Sequence, residues 1–283
     1  MEAVYDGSLE GLFKILENVL RGKALPQKIC RRRAEQGDLF SQPEPGALNS
    51  ADVPPCTRVA LQHTHTGLSG AAEQLRDVSA SAYSDFCYAW MSEFPIEAET
   101  VRFGWKVLSA ADTVRRWSNS PDSDHKARLA AERARTDRGD DAVGTVLGAA
   151  FKVRREVHRL MGLLRFNDTS GDMLIARCYP DHNILPALAR HFSLRFGKEP
   201  WGIIDEKRSI MLFSRKYGEI ETAALDRTVP DSRIAEEAGS GNRWEELWRT
   251  YFKVINNESR VNPELQRRFM PVRYWKYLPE VHQ

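Results

Sequence analysis

Asp181 is followed directly by His182, a carboxylate beside an imidazole, which is the pairing that a general base oriented by an acid requires. The same two residues stand where a helix begins, so an N-cap at Asp181 and a packed, hydrogen-bonded His182 are the competing use. Cations offer a second kind of chemistry. Lys152, Arg155 and Arg159 are spaced to lie along one side of a helix, and Arg249, Lys253 and Arg260 recur similarly near the C-terminus. Such stripes either meet successive phosphates of a polyanion or simply face water. His158, next to Arg159, reads as a structural or phosphate-contacting residue. Arg273, Tyr274, Trp275 and Lys276 interleave basic and aromatic groups. That pattern stacks on unpaired bases and holds flanking phosphates, or else its rings pin the C-terminus to the core. Asp205 and Glu206 are neighbours on a strand, point to opposite faces and make a poor metal pair.

Other chemistries lose support. There is no phosphate-cradling GxxxxGK(S/T), no GxGxxG after a strand, no HExxH and no GxSxG elbow. Cys30, Cys56, Cys87 and Cys178 form no CxxC pair and have no histidine at finger spacing, so neither a zinc framework nor an iron-sulfur cradle is expected; metal: none, cofactors: none.

The 283 residues, 42% hydrophobic and 28% charged, suit a globular chain of about two domains or one large one. With 41 Lys+Arg against 39 Asp+Glu the net charge is +2, so any case for a polyanion rests on where the charges sit. Residues 1–100 carry 9 basic and 14 acidic groups, 150–218 carry 13 and 7, 219–241 carry 2 and 6, and 242–283 carry 8 and 5. Two basic blocks flank an acidic connector. The acidic N-terminus, without a small-residue cleavage site, and the lack of any apolar run near the ~20 residues of a membrane span lead us to expect a cytoplasmic protein with no membrane association.

The elements that must position these residues follow from periodicity. Val4 and Tyr5 open a short strand, Asp6 and Gly7 turn, and Ser8 caps a helix with a stripe of Leu9, Leu12, Phe13, Leu16 and Leu20 (segment 1–33). Residues 34–72 read as a linker or long loop, and 73–142 as a helical layer interrupted at Pro95, with a charged stretch at 119–141. Residues 143–218 form the core unit. A helix with the stripe Val146, Ala150, Val153, Val157, Leu160 and Leu164 precedes a hairpin over 162–180. A second helix follows, with Pro186 in its first turn and Leu185, Leu188, Ala189 and Phe192 on its apolar side. Strands at 201–205 and 210–213 complete an antiparallel ββαββ sheet backed by helices, of α+β class. The acidic connector 219–241 leads to a helical basic-aromatic segment, 242–283, with the packing stripe Trp244, Trp248, Tyr251 and Ile255.

Five ordered blocks carry a family resemblance: VYDGSLEGLF at 4–13, EVHRLMGLLRF at 156–166, PDHNILPALARHFSLRF at 180–196, WGIIDEKR at 201–208 and NPELQRRFMPVRYWKYLPE at 262–280. The chain resembles a bacterial family with a domain of unknown function, described as probable DNA metabolism or repair proteins. The resemblance implies a gene beside that of a radical-SAM DNA modification or repair protein, and relatives fused to a uracil-DNA glycosylase-like domain. The three clustered cysteines of a radical-SAM cluster are missing here, so such chemistry would belong to the partner. Inside the family blocks, His158, Arg159, Arg165, Asp181, His182, Arg208, Asn262, Gln266, Arg273, Tyr274 and Trp275 are placed to touch DNA. The expectation is a DNA-binding accessory protein that presents nucleic acid to a radical-SAM partner, through Lys152, Arg155, His158, Arg159, Arg165, Arg208, Arg249, Lys253, Arg260, Gln266, Arg273, Tyr274, Trp275 and Lys276. Two alternatives stand beside it: a base-processing enzyme using Asp181 and His182, and a protein-interaction scaffold.

Overall fold

The computed structural model describes residues 2–31, 70–117, 121–168, 173–216, 219–225, 242–255 and 262–281. They fall into two compact units, one up to residue 154 and one from 155 onward. Most of the 34–72 linker reading, most of the acidic connector and Arg260 lie outside the described residues.

In the first unit β1 (Glu2–Tyr5) pairs in parallel with β2 (Lys28–Arg31), a four-residue strand that periodicity did not show. Between them Gly7, at φ +84°, makes the turn, and the Ser8 hydroxyl accepts the Gly11 N–H to start α1 (Leu9–Leu20). Leu12, Phe13 and Leu16 of its stripe are buried against α2 (Gly70–Val78), α3 (Ala80–Trp90) and α4 (Glu97–Trp117), with Phe13 stacked on Phe86 at 4.3 Å. The charged stretch forms α5 (Ser123–Thr136), which packs on α4 through the small residues Ala127 and Ala131.

The helix α6 (Asp141–Leu163) runs from the first unit into the second; all six residues of the predicted stripe are buried, five on the helix and Leu164 just after it. The second unit is built on a five-stranded sheet in the order β3 (Phe166–Asp168), β4 (Leu174–Cys178), β5 (Trp201–Asp205), β6 (Ile210–Ser214) and β7 (Glu221–Ala224). The class is α+β and the ββαββ core is present, but the sheet is mixed. Three pairs are antiparallel, whereas β4 and β5 run parallel, Cys178 opposite Asp205. The reason is the connection: α7 (Leu185–Phe196) is a crossover helix, which returns the chain to the same end of the sheet. The polar edge strand β7 extends the sheet into the stretch read as connector.

Pro186 sits in the first turn of α7, and Leu185, Leu188, Ala189 and Phe192 are buried beneath it. The C-terminal segment contains α8 (Asn242–Ile255), α9 (Pro263–Phe269) and a 3-10 turn over Val272–Tyr277. Of the expected α8 stripe, Tyr251 and Ile255 face solvent, because the apolar side of this helix is wider than its packed side; Trp248 is half-buried, and the Trp244 side chain is outside what the structure describes. No helix among the described residues is long and apolar enough to cross a membrane.

Candidate functional site

The parallel pair β4/β5 ends at Cys178 and Asp205, and the chain leaves both strands on the same side. In open sheets this carboxyl end is where ligand-binding loops gather. Here the loop 179–184 follows β4, the turn 206–209 follows β5, and the 3-10 turn packs against β4.

Glu156, buried on the inner side of α6, organises the cluster. Its carboxylate accepts the backbone N–H of Asp181 at 2.7 Å and of His182 at 2.9 Å, the Tyr274 hydroxyl at 2.7 Å and the Arg273 guanidinium at 3.2 Å. Arg273 also pairs with Asp181 at 2.5 Å. The Asp181 side chain is thus an ion-pair partner and not the helix cap: the N-cap of α7 is Ile184, with no side-chain cap bond. His182 is buried. Tyr274 is buried too, so its ring is a pin and offers no stacking surface. Burial first, then its bond to Glu156, raises the Tyr274 pKa.

A second carboxylate closes the β5 turn. Asp205, fully buried, accepts the backbone N–H groups of Lys207 and Arg208 and pairs with the Arg208 guanidinium at 2.6 Å. Burial pushes this carboxyl up against the opposing pull of Arg208 and leaves it raised. Arg208 donates onward to the carbonyls of Pro180 and Asp181, and Lys207 Nζ donates to the Asp181 carbonyl at 2.8 Å.

Glu206, the first residue of the turn after β5, takes Tyr277 at 2.7 Å, Lys276 at 2.9 Å and Arg177 at 3.5 Å. Burial pushes its carboxyl up, but the bonds from Tyr277 and Lys276 and the nearby positive charges outweigh that, and the net shift is downward. Glu206→Gln is therefore expected to be less stable than the wild type at neutral pH by about 1–2 kcal/mol. A carboxyl lowered in the fold contributes stability above its unfolded value and loses it on protonation. The gap should close as pH falls below the ordinary glutamate range, to about pH 3. The raised Asp205 has the opposite sign, taking up its proton in the fold first and relieving a penalty on acidification; it is common to both proteins and cancels. Urea midpoints of both proteins across this range check the prediction, and a gap of constant size contradicts it.

Cys178 ends β4 with its thiol on the Ile204 carbonyl, and burial raises its pKa well above the ordinary thiol range. Among the described residues no group of three or more His, Cys, Asp and Glu side chains is arranged to hold a metal ion.

The segment 125–280, which carries α6, the five-stranded sheet and this whole cluster, matches the model of a domain of unknown function, DUF4130. The chain belongs to the DUF4130 family. No curated protein and no solved structure matches it. Within the DUF4130 segment the sequence-predicted residues part company. Arg208, Arg273, Tyr274 and Lys276 come together with Asp181 and His182 around the β4 loop. Arg165 instead pairs with the buried Glu280 at 2.6 Å and lies over the Trp248 ring, and Arg249 donates to the Pro279 carbonyl. The Trp275 indole donates to the Met270 carbonyl, Asn262 caps α9 through the Leu265 N–H, and Gln266 is half-buried on that helix. Lys152, Arg155, His158 and Lys253 are exposed, Arg159 partly so, with Lys152 over the Phe94 ring.

Sequence reasoning missed Glu156, Tyr179 and Lys207 as parts of the site, and weighed Asp205 and Glu206 only as a poor metal pair. Glu156 had a signal: it falls between Val153 and Leu160 at helical spacing, inside the apolar stripe, where a carboxylate must have partners. Tyr179 had none.

Proposed function

We propose that this DUF4130 protein is a cytoplasmic DNA-binding accessory factor in DNA repair or modification, which presents nucleic acid to a radical-SAM partner that carries out the chemistry. The observation that supports this most is the outer face of α6. After Asp141 the only carboxylate of that helix is Glu156, and it is turned inward, so the solvent side presents Lys152, Arg155 and His158 with Arg159 at its edge. A helix face with several cations and no acid is complementary to a row of phosphates. The resemblance noted in the sequence supplies the kind of partner.

The enzyme alternative is weakened by the same geometry, because the Asp181 carboxylate is held by Arg273 and His182 is buried. The scaffold alternative keeps one observation in its favour: Leu247, Tyr251, Val254 and Ile255 of α8 are exposed apolar residues.

The test is a binding titration with single-stranded and duplex DNA at rising salt, with and without the radical-SAM neighbour. The expected result is binding whose logarithm falls linearly with the logarithm of salt. Lys152→Glu with Arg155→Glu should weaken all sequences alike, make the slope shallower by about 1 for each phosphate no longer neutralised, and leave co-purification with the partner intact. Undetectable DNA binding at low salt in both settings sinks the reading, and loss of the partner with DNA binding retained favours the scaffold.

A further inference from the structure

The loop that leaves β4 is held on every side, yet it turns one ring outward. Glu156 takes the N–H groups of residues 181 and 182, while Lys207 and Arg208 take the carbonyls of residues 180 and 181. Cys178 and Pro180, on either side of Tyr179, are buried. Tyr179 itself is 44% exposed, and its hydroxyl makes no hydrogen bond among the described residues. The Lys276 ammonium lies over the ring, 5.4 Å from its centroid. A large aromatic side chain fixed at its base, exposed at its tip and unused by the fold is preorganised for a planar ligand, since little conformational entropy remains to be lost on binding.

The surroundings say what kind of ligand. Arg177, Lys207, Arg208, Arg273 and Lys276 face Glu156, Asp181, Asp205 and Glu206, and two of these carboxylates, Glu156 and Asp205, are buried beneath the surface. Lys207 donates to a neutral carbonyl, so its charge has no carboxylate partner in that bond. Glu206 is shared by two cations. Beside the ring, therefore, the exposed charge is positive, and a planar group that arrives with a negative group attached meets both features at once.

The geometry points to Tyr179 as a stacking platform for an unpaired nucleotide, its base against the ring face opposite Lys276 and its phosphate among Lys207, Arg273 and Lys276. This rests on the nucleic-acid reading above and narrows it to single-stranded or extrahelical nucleotides, because paired bases in a duplex bury their faces in the stack. The rings proposed for that role from sequence are otherwise engaged: Tyr274 is buried and the Trp275 indole is tied to the Met270 carbonyl.

The experiment compares the full-length wild type with Tyr179→Ala and Tyr179→Phe by fluorescence anisotropy at low salt. The probes are a labelled single strand, its blunt duplex, and the same duplex carrying one unpaired nucleotide. The wild type should bind the strand and the bulged duplex more tightly than the blunt duplex. Tyr179→Ala should weaken those two by about 5- to 150-fold with the salt slope unchanged, because the substitution removes base stacking and leaves every phosphate neutralised as before. Tyr179→Phe should bind like the wild type. The exposed position predicts an unchanged melting temperature for both variants, which controls for folding. If the wild type binds all three probes alike, or Tyr179→Ala weakens all three equally or none, the platform is wrong and general DNA binding stands. If the wild type binds no DNA, both readings fall together.

Discussion

Glu156→Ala is expected to destabilise the protein by about 3–5 kcal/mol, the range for removing one partner from a buried, hydrogen-bonded charge cluster. The carboxylate serves four donors, two of them backbone N–H groups of the β4 loop and one the buried Tyr274 hydroxyl. Alanine leaves each without an acceptor, at roughly 1–3 kcal/mol for an orphaned buried group, and the terms do not add in full because the loop can relax toward water. Arg273 adds less than a fully buried cation would, since 39% of its side chain stays in solvent and Asp181 still holds it. Tyr274→Phe removes the bond to the same oxygen and the one that Arg273 donates to the phenol at 2.9 Å, and should cost about 1–3 kcal/mol. Urea unfolding gives the energies. Hydrogen exchange gives the location, with protection falling at residues 181, 182 and 272–277 first. A change below about 1 kcal/mol for Glu156→Ala would mean that the loop is held by Lys207 and Arg208 alone.

That cluster also marks where sequence reading stops. Period-3.6 stripes identified the buried faces of α6 and α7, and in α1 found Leu12, Phe13 and Leu16 but not the buried Val19, with Leu9 and Leu20 only partly covered, because one side of each helix must leave water. Two runs flanking the turn at 206–208 found β5 and β6 as a hairpin but say nothing of the other neighbour of either strand or its direction. The parallel pairing of β4 with β5 was nonetheless implicit in the strand-helix-strand order, which a hairpin cannot produce. β2 and β7 escaped for another reason: KICR and ETAA are four residues each with little apolar signal, and they are strands because a neighbour offers a free edge. Side-chain pairing was the least legible level. Glu156 meets Arg273 and Tyr274 across more than a hundred residues, and nothing local to RYWK distinguishes an exposed platform from a buried pin. Segment charge had the same weakness. The excess of cations in 150–218 is real, but Arg165 is matched to the buried Glu280, which composition counts in another segment, and Arg208 is spent on the buried Asp205.

Arg165 offers the sharpest test of how such a matched cation acts, and its removal should not be symmetrical with that of its partner. Glu280 is almost wholly buried; one oxygen is held by Arg165 and the other has no hydrogen-bond partner among the described residues. Arg165→Ala therefore strands a buried carboxylate, at about 3–5 kcal/mol. It also removes the bond to the Gly162 carbonyl at the end of α6 and a cation-π interaction with Trp248 at 4.6 Å. Glu280→Leu leaves an arginine that still has those carbonyl and ring partners and 18% of its side chain in water, so it should cost at least about 1 kcal/mol less. The Nε of Arg165 has no hydrogen-bond partner among the described residues, which means the pair is incompletely satisfied as it stands. Replacing both residues with apolar ones of similar volume, Arg165→Met with Glu280→Leu, should then recover most of the stability that Arg165→Ala forfeits, short by about 1 kcal/mol for the missing α6 carbonyl bond. Denaturant midpoints of Arg165→Met, Glu280→Leu and the double variant form a thermodynamic cycle with the wild type, with Arg165→Ala measured beside them. A double variant no more stable than Arg165→Ala would show that the ion pair is not what anchors the C-terminal segment, and would shift that role to Tyr274 and the packing of Leu278.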